Sequence, residues 1–255
     1  MLPDLDGARR FVQEHRPPPG RVLLCAVTGA HLYGFPSADS DVDLKGIHLA
    51  PTEQLLGLAA AKETHDVTLV VDSVEYDLTT HELGMALRAV LKGNGNVIER
   101  VVSPLQLFDT EEVEALRALL PDLLSQRVHA HYAGFFRQTC RFFDREARVK
   151  TLLYSVRVAL TGIHLLRTGE VEAHLPTLAE THGFSEVMPL VDLKRERGEK
   201  AVIRPEVAAP IRRRWPELEE RLREARDASC LPVEPPGREA AEAWLVQVRR
   251  DALRA

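Results

Sequence analysis

The chain has 255 residues, of which 45% are hydrophobic and 28% charged, a globular composition with enough length to bury one large core or two ordinary ones. The net charge of −5 argues against a broadly basic nucleic-acid coat: residues 1–105 hold 14 acidic against 9 basic side chains, and the rest of the chain holds 24 of each. Three scattered cysteines, Cys25, Cys140 and Cys230, argue against a disulfide framework or a cysteine-based zinc site. No apolar run of ~20 residues is expected to span a membrane. The start of the chain lacks the layout of a secretory signal, and a reducing cytoplasm is the expected compartment.

In chain order, residues 4–16 predict a helix closed by Pro17-Pro18-Pro19-Gly20. The apolar run from Arg21 to Val27, bounded by Gly20 and Thr28-Gly29, predicts a buried strand. Residues 30–40 are small and polar and predict a short helix or loop. Asp41 to Leu49 alternates charged and apolar side chains and predicts a second strand. Residues 67–78 predict one or two strands with a turn at Asp72-Ser73. Residues 80–92 predict a helix capped by Gly93. Beyond about residue 105 helical periodicity takes over, at 110–120, 122–145, 148–168, 176–182, 206–226 and 238–253. Tyr132, Phe135, Phe136, Phe142 and Phe143 recur at helical spacing, which predicts helix core rather than a base-stacking platform.

The chemistry concentrates in Thr28-Gly29-Ala30-His31-Leu32-Tyr33-Gly34, followed by six residues and then Asp41-Val42-Asp43. A glycine at a strand end lets backbone approach a ligand closely, and the N–H groups that follow can cradle phosphate. Two carboxylates at i and i+2 of a strand share a face, their backbones roughly 7 Å apart. Hard oxygen ligands so placed suit Mg²⁺ or Mn²⁺. In polymerase-type sites two such ions clamp the attacking and leaving oxygens of a phosphoryl displacement.

This segment resembles the fingerprint of the DNA polymerase β superfamily: Gly-Ser, a spacer, then Asp-x-Asp. Tyr33-Gly34 and Asp39-Ser40-Asp41-Val42-Asp43-Leu44-Lys45-Gly46 resemble more closely the predicted nucleotidyltransferases of bacterial RNA-repair operons. Lys92-Gly93-Asn94-Gly95-Asn96-Val97-Ile98-Glu99 is similar to that family's Lys-(Gly/Ser)-Asn-Pro-x-x-x-Glu segment. Lys150, Tyr154 and Arg157, with Leu165-Leu166-Arg167-Thr168-Gly169, are similar to its helical signature. The resemblance covers about residues 22–170. It implies a third carboxylate on a later strand, Asp77, with Glu75 as the substitute, acting as metal ligand or general base. It implies that Thr28, Gly29 and Ala30 shape a phosphate turn. It also implies that Lys150, Tyr154 and Arg157 contact nucleotide or acceptor. One departure stands out: the family serine is Ala30 here, and a hydrogen bond to phosphate lost in this way costs ~1.5–3 kcal/mol.

Other patterns carry less. Asp39, Asp41 and Asp43 mimic the start of a calcium loop, but Leu44 and Ala50 stand at its glycine and glutamate positions. Arg157 and His164 form an Arg-x6-His pair resembling the ribonuclease signature of certain helical bundles. Lys194, Arg195, Arg197 and Lys200, interleaved with Glu196 and Glu199, predict a solvated loop. Arg212-Arg213-Arg214 is a cationic run that could touch phosphate.

The expected architecture is α+β. A small mixed-sheet, polymerase β-like nucleotidyltransferase domain at 1–105 precedes a helical substrate-binding domain at 106–255, with the nucleotide expected between them. The expected activity is metal-dependent transfer of NMP from an NTP to an acceptor hydroxyl, with Asp41, Asp43 and Asp77 holding Mg²⁺ or Mn²⁺, and RNA ends as the acceptor. A protein or small-molecule acceptor remains open at this point, as does a metal- or nucleotide-binding module without turnover. Nucleotide choice and oligomeric state are not legible in the sequence.

Overall fold

The computed structural model describes residues 3–15, 18–58 and 62–254. They form two compact units, each discontinuous in sequence. The first comprises the chain up to Gly29, Asp41–Leu124 and the chain from Pro235; the second comprises Ala30–Ser40 and Ser125–Glu234. The expectation was two consecutive segments meeting near residue 105.

The first unit is built on a mixed five-stranded sheet of order β3-β4-β2-β1-β5. Its strands are β1 (Arg21–Val27), β2 (Val42–Leu49), β3 (Thr64–Val71), β4 (Val74–Glu82) and β5 (Gln106–Asp109). β2 pairs in parallel with β4, and the other neighbours are antiparallel. β3 and β4 are joined at Asp72 and Ser73, both with positive φ (49° and 67°), the geometry whose twist suits a two-residue hairpin. One sheet face packs on α1 (Leu5–Glu14), where Ala8, Phe11 and Val12 join Cys25, Val27, Val42, Leu44, Tyr76 and Leu78 in one apolar cluster. Asp4 caps α1 by accepting from Gly7 N–H at 2.9 Å. The stop expected at Pro17 lies outside the described residues.

Three elements of this unit escaped the sequence reading, among them the short helix Thr52–Leu56. α5 (Gly95–Val102) follows α4 (Leu83–Leu91) after a corner at Gly93, whose φ is +76°. Asn94, inside the Lys-Gly-Asn segment, caps α5 by accepting from Val97 N–H at 3.3 Å. β5 is four residues long, too short for a period-2 signal. α6 (Glu111–Leu123) and the last helix, α13 (Arg238–Ala252), complete the unit. α13 is tied in by Arg249, whose Nη2 donates to the buried Glu82 carboxylate at 3.0 and 3.1 Å. Short helices α2 (Gly29–Tyr33) and α3 (Thr52–Leu56) sit in the connections around β2.

The second unit is helical: α7 (Val128–Glu146), α8 (Val149–Thr168), α9 (Leu175–His182), α10 (Met188–Arg197), α11 (Pro205–Arg213) and α12 (Trp215–Asp227). α8 is its core. It is long and apolar enough to pass for a membrane span by length and composition, yet 78% of its 18-residue window is buried inside the protein. Gly162 lets neighbours close in, because a Cβ there would stand 2.7 Å from Tyr132 and 2.9 Å from Leu222. Of the five aromatics expected in the helix core, Tyr132, Phe136 and Phe143 are buried and Phe135 and Phe142 are half-buried. The expected helix 206–226 is two helices that part at Arg214, because Pro216 cannot donate a continuing backbone bond. Of the cluster expected as a solvated loop, Lys194, Arg195 and Arg197 lie in α10, and Lys194 is fully buried. The three cysteines are free thiols.

Candidate active site

The first half of β2 alternates: Val42 and Leu44 enter the apolar cluster, while Asp43 and Lys45 are half-buried on the other parity. β4 does the same with Tyr76 and Leu78 against Asp77 and Thr79. The parallel register makes Asp43 the partner of Asp77 and Lys45 the partner of Thr79. Lys45 Nζ donates to Asp77 Oδ2 at 3.0 Å and to Thr79 Oγ1 at 3.2 Å, and stands 3.9 Å from Asp43 Oδ1. Thr68, on β3, donates its hydroxyl to Asp77 Oδ1 at 3.4 Å. One ammonium thus lies on two carboxylates from adjacent strands.

Asp77 and Glu75 share a strand parity, but only Asp77 has a partner on β2. Glu75 is exposed and pairs with Val70 of β3 at the end where β2 has not begun. Asp41 precedes β2 by one residue and is half-buried. Among the described residues no three His, Cys, Asp or Glu side chains are gathered as a ready metal site. The Asp43–Asp77 pair by itself fits the donor chemistry of Mg²⁺ or Mn²⁺, since both offer hard oxygens and a cation already sits on them.

Gly29 locks the turn after β1 onto this site. Thr28 N–H donates to Asp43 O at 2.8 Å and the Thr28 hydroxyl approaches the same oxygen at 3.4 Å, so the end of β1 stays paired to the carboxylate strand. Gly29 has φ +61°, and a Cβ on it would stand 2.8 Å from Asp43 Cγ and overlap the carboxylate oxygen. Only glycine allows backbone this close to Asp43. Further along the sheet, Arg100 of α5 donates to Gly46 O at 3.0 Å and lies 2.8 Å from His81 Nδ1. Burial and the Arg100 charge hold His81 down to about 4, so it is neutral at physiological pH. Burial pushes the Cys25 thiol up to about 12, which leaves it inert.

In the helical unit, Lys150, Tyr154 and Arg157 do share one face of α8, and each is engaged there. Lys150 Nζ pairs with Glu199 Oε2 at 2.7 Å. The Tyr154 ring meets Tyr33 and Phe35 edge-on at 5.4 and 5.5 Å. Arg157 is fully buried with its guanidinium 3.8 Å over the Tyr33 ring. The helical signature and the Tyr33-Gly34 motif are therefore one packed cluster. Arg157 is buried on Tyr33, and half-buried His164 meets the His182 ring at 5.6 Å.

Beside them Lys194 and Glu199 organise the segment before Asp41. Lys194 Nζ donates to Glu199 Oε1 at 2.7 Å, Ser37 Oγ at 3.1 Å and Ser40 Oγ at 3.3 Å. Ser40 also donates to Glu199, and Glu199 N–H donates to both Asp39 oxygens at 3.1 and 3.2 Å. Burial alone would raise the Glu199 carboxyl; hydrogen bonds from Lys150, Lys194 and Ser40 outweigh it and bring it to about 2.

Residues 6–247 match the sequence model of RlaP, the RNA repair pathway DNA polymerase beta family. The chain belongs to this family. An uncharacterized protein of Methanocaldococcus jannaschii (strain ATCC 43067) is 28% identical over 153 residues, 59% of this chain and 63% of that relative. The match thus spans less than two thirds of the relative's length. A solved structure of a nucleotidyltransferase-like protein from Exiguobacterium sibiricum 255-15 aligns over 97% of this chain and 80% of its own, 14% identical, with a TM-score of 0.35.

Lys45, Thr68 and Thr79 were missed as members of the site. Lys45 had a visible signal, since it continues the Asp41, Asp43 alternation by two residues. Thr68 and Thr79 had none, because their place depends on strand register. Lys194 and Glu199 were hidden by looking like a mixed-charge surface run.

Proposed function

We propose that this protein is a nucleotidyltransferase: an acceptor hydroxyl, at RNA ends, attacks the α-phosphorus of an NTP, the α–β phosphoanhydride bond breaks, NMP is transferred and pyrophosphate leaves. The observation that carries the reading is the Asp43–Asp77 register pair with Gly29 backbone against Asp43. Membership of an RNA repair family supports the choice of acceptor. Asp41, Asp43 and Asp77 would hold Mg²⁺ or Mn²⁺, and when bound the ions supply charge neutralisation at the α-phosphate. Thr28, Gly29 and Ala30 present backbone to the triphosphate. The Asp77 carboxylate receives the proton of the attacking hydroxyl, and Lys45 holds that carboxylate in place. Arg157 is left out of the nucleotide contacts, because it is wholly buried against Tyr33.

One observation favours a binding module without turnover: Lys45 already sits on the pair that a metal would need and offsets one of its two negative charges. Incubation with α-³²P-labelled NTPs, Mn²⁺ or Mg²⁺ and RNAs of defined ends separates the two, with Asp41→Asn/Asp43→Asn alongside. Label on RNA that the double variant loses supports the transferase. Mn²⁺ and NTP binding by calorimetry, with no label on RNA, protein or small-molecule acceptors, supports the module.

A further inference from the structure

The helical unit carries a basic surface that the even charge count of the sequence conceals. On α7, Arg137, Arg141 and Arg145 recur every four residues, on one helix face, and all are exposed. Arg212, near the end of α11, joins them through Asp144 at 2.5 Å, and its guanidinium lies 5.3 Å from the Trp215 ring centroid. Here lies a cavity of about 350 Å³ lined by Phe136, Trp215, Arg137, Arg141, Arg212 and Glu219, among others. Its charged lining is three guanidiniums against one carboxylate, and Glu219 is already shared with Arg137 at 3.4 Å. The Trp215 ring is held in place by its indole N–H donating to Ser155 Oγ at 3.1 Å and by Phe143 edge-on at 5.8 Å.

A fixed indole within a rim of guanidiniums asks for a flat aromatic group that carries phosphate on both sides. Arginine forks match phosphate geometry, and a base stacks on an aromatic ring whatever its sequence. A duplex keeps its bases inside and cannot fill such a pocket. We propose that this pocket binds one nucleotide of a single-stranded RNA, its base against Trp215 and its flanking phosphates on Arg137, Arg141 and Arg212. The choice of RNA over other single strands rests on the proposed function; the pocket uses none of the carboxylate-site residues.

The test uses a Trp244→Phe background, which leaves Trp215 as the single tryptophan. A 12-nucleotide single-stranded RNA, titrated in EDTA at low salt, is expected to quench Trp215 fluorescence, and a blunt duplex is not. Arg137→Gln/Arg141→Gln, folded by circular dichroism, is expected to need at least tenfold more RNA. Its slope of log affinity against log salt should be shallower by about 1.4, the loss of two contacts at ~0.7 each. Asp41→Asn/Asp43→Asn should bind RNA normally, so failure of transfer there bears on the proposed function alone. Unchanged affinity in the arginine variant, no quenching, equal duplex binding, or displacement of RNA by an acidic peptide would overturn the inference.

Discussion

Asp43 on β2 and Asp77 on β4 are register partners in a parallel strand pair, and one ammonium, Lys45 Nζ, reaches both. This pairing separates the two candidate carboxylates on β4, Asp77 and Glu75. Asp77→Asn is expected to lower nucleotidyl transfer by at least ~10²-fold, the scale of losing one preorganised charge-stabilising group. Glu75→Gln, at an exposed position without a β2 partner, should leave the rate within about twofold. Initial rates of label incorporation decide it, and a larger loss from Glu75→Gln would reverse the assignment.

Gly29→Ala tests the close approach of backbone to Asp43. The left-handed φ alone costs a non-glycine residue ~1–2 kcal/mol, and the new Cβ must displace the Asp43 carboxylate. The melting temperature should drop by several degrees. Mn²⁺ affinity should fall further than in a control, Gly57→Ala, where an added Cβ meets nothing within 4 Å. Equal Mn²⁺ binding by the two variants would show that the turn does not shape the site.

Buried charges predict an asymmetry between Lys194 and Glu199. Removing one member of a buried pair costs ~3–5 kcal/mol when the other charge is stranded. Lys194→Met leaves Glu199 with Lys150 and Ser40, whereas Glu199→Gln leaves a fully buried ammonium with only neutral oxygens, two hydroxyls and an amide, as hydrogen-bond partners. Glu199→Gln should therefore be the more destabilising in urea unfolding, and the double variant should recover part of the loss. Independent, additive effects would contradict the network.

Acid should destabilise the fold in two steps. Burial, with the Arg100 charge for His81 and the His164 and Arg221 charges for His182, holds both imidazoles down to about 4. The unfolded chain takes up those protons first, so stability is complete above about 6.5 and falls until about 4. Glu112, through its bond from Arg21, and Glu199 are held at about 2; their contribution is complete above about 4.5 and is lost towards 2. Urea midpoints against pH should show both windows, and His182→Gln should shrink the upper one only. A midpoint that stayed flat from pH 6.5 to 4 would contradict the histidine assignment.

Short-range pattern alone determined much of this protein. The boundaries of β1 and β2, the hairpin at Asp72-Ser73, α8 and the Gly-turn-Asp-x-Asp motif follow from apolar runs, alternation and glycine placement, which depend on neighbours a few residues apart. Tertiary structure decided what joins distant segments. Register made Asp77 the partner of Asp43, and no local period encodes register between β2 and β4. Packing turned Lys194 and Arg157 from surface-like charges into buried ones and left Glu199 half-buried, because partners more than a hundred residues away supply the bonds that make burial tolerable. The return of α13 to the sheet unit includes a contact of the same kind, Arg249 on buried Glu82. Folding likewise sorted an even count of charges into a basic, tryptophan-lined pocket, since helix faces separate residues that the sequence interleaves.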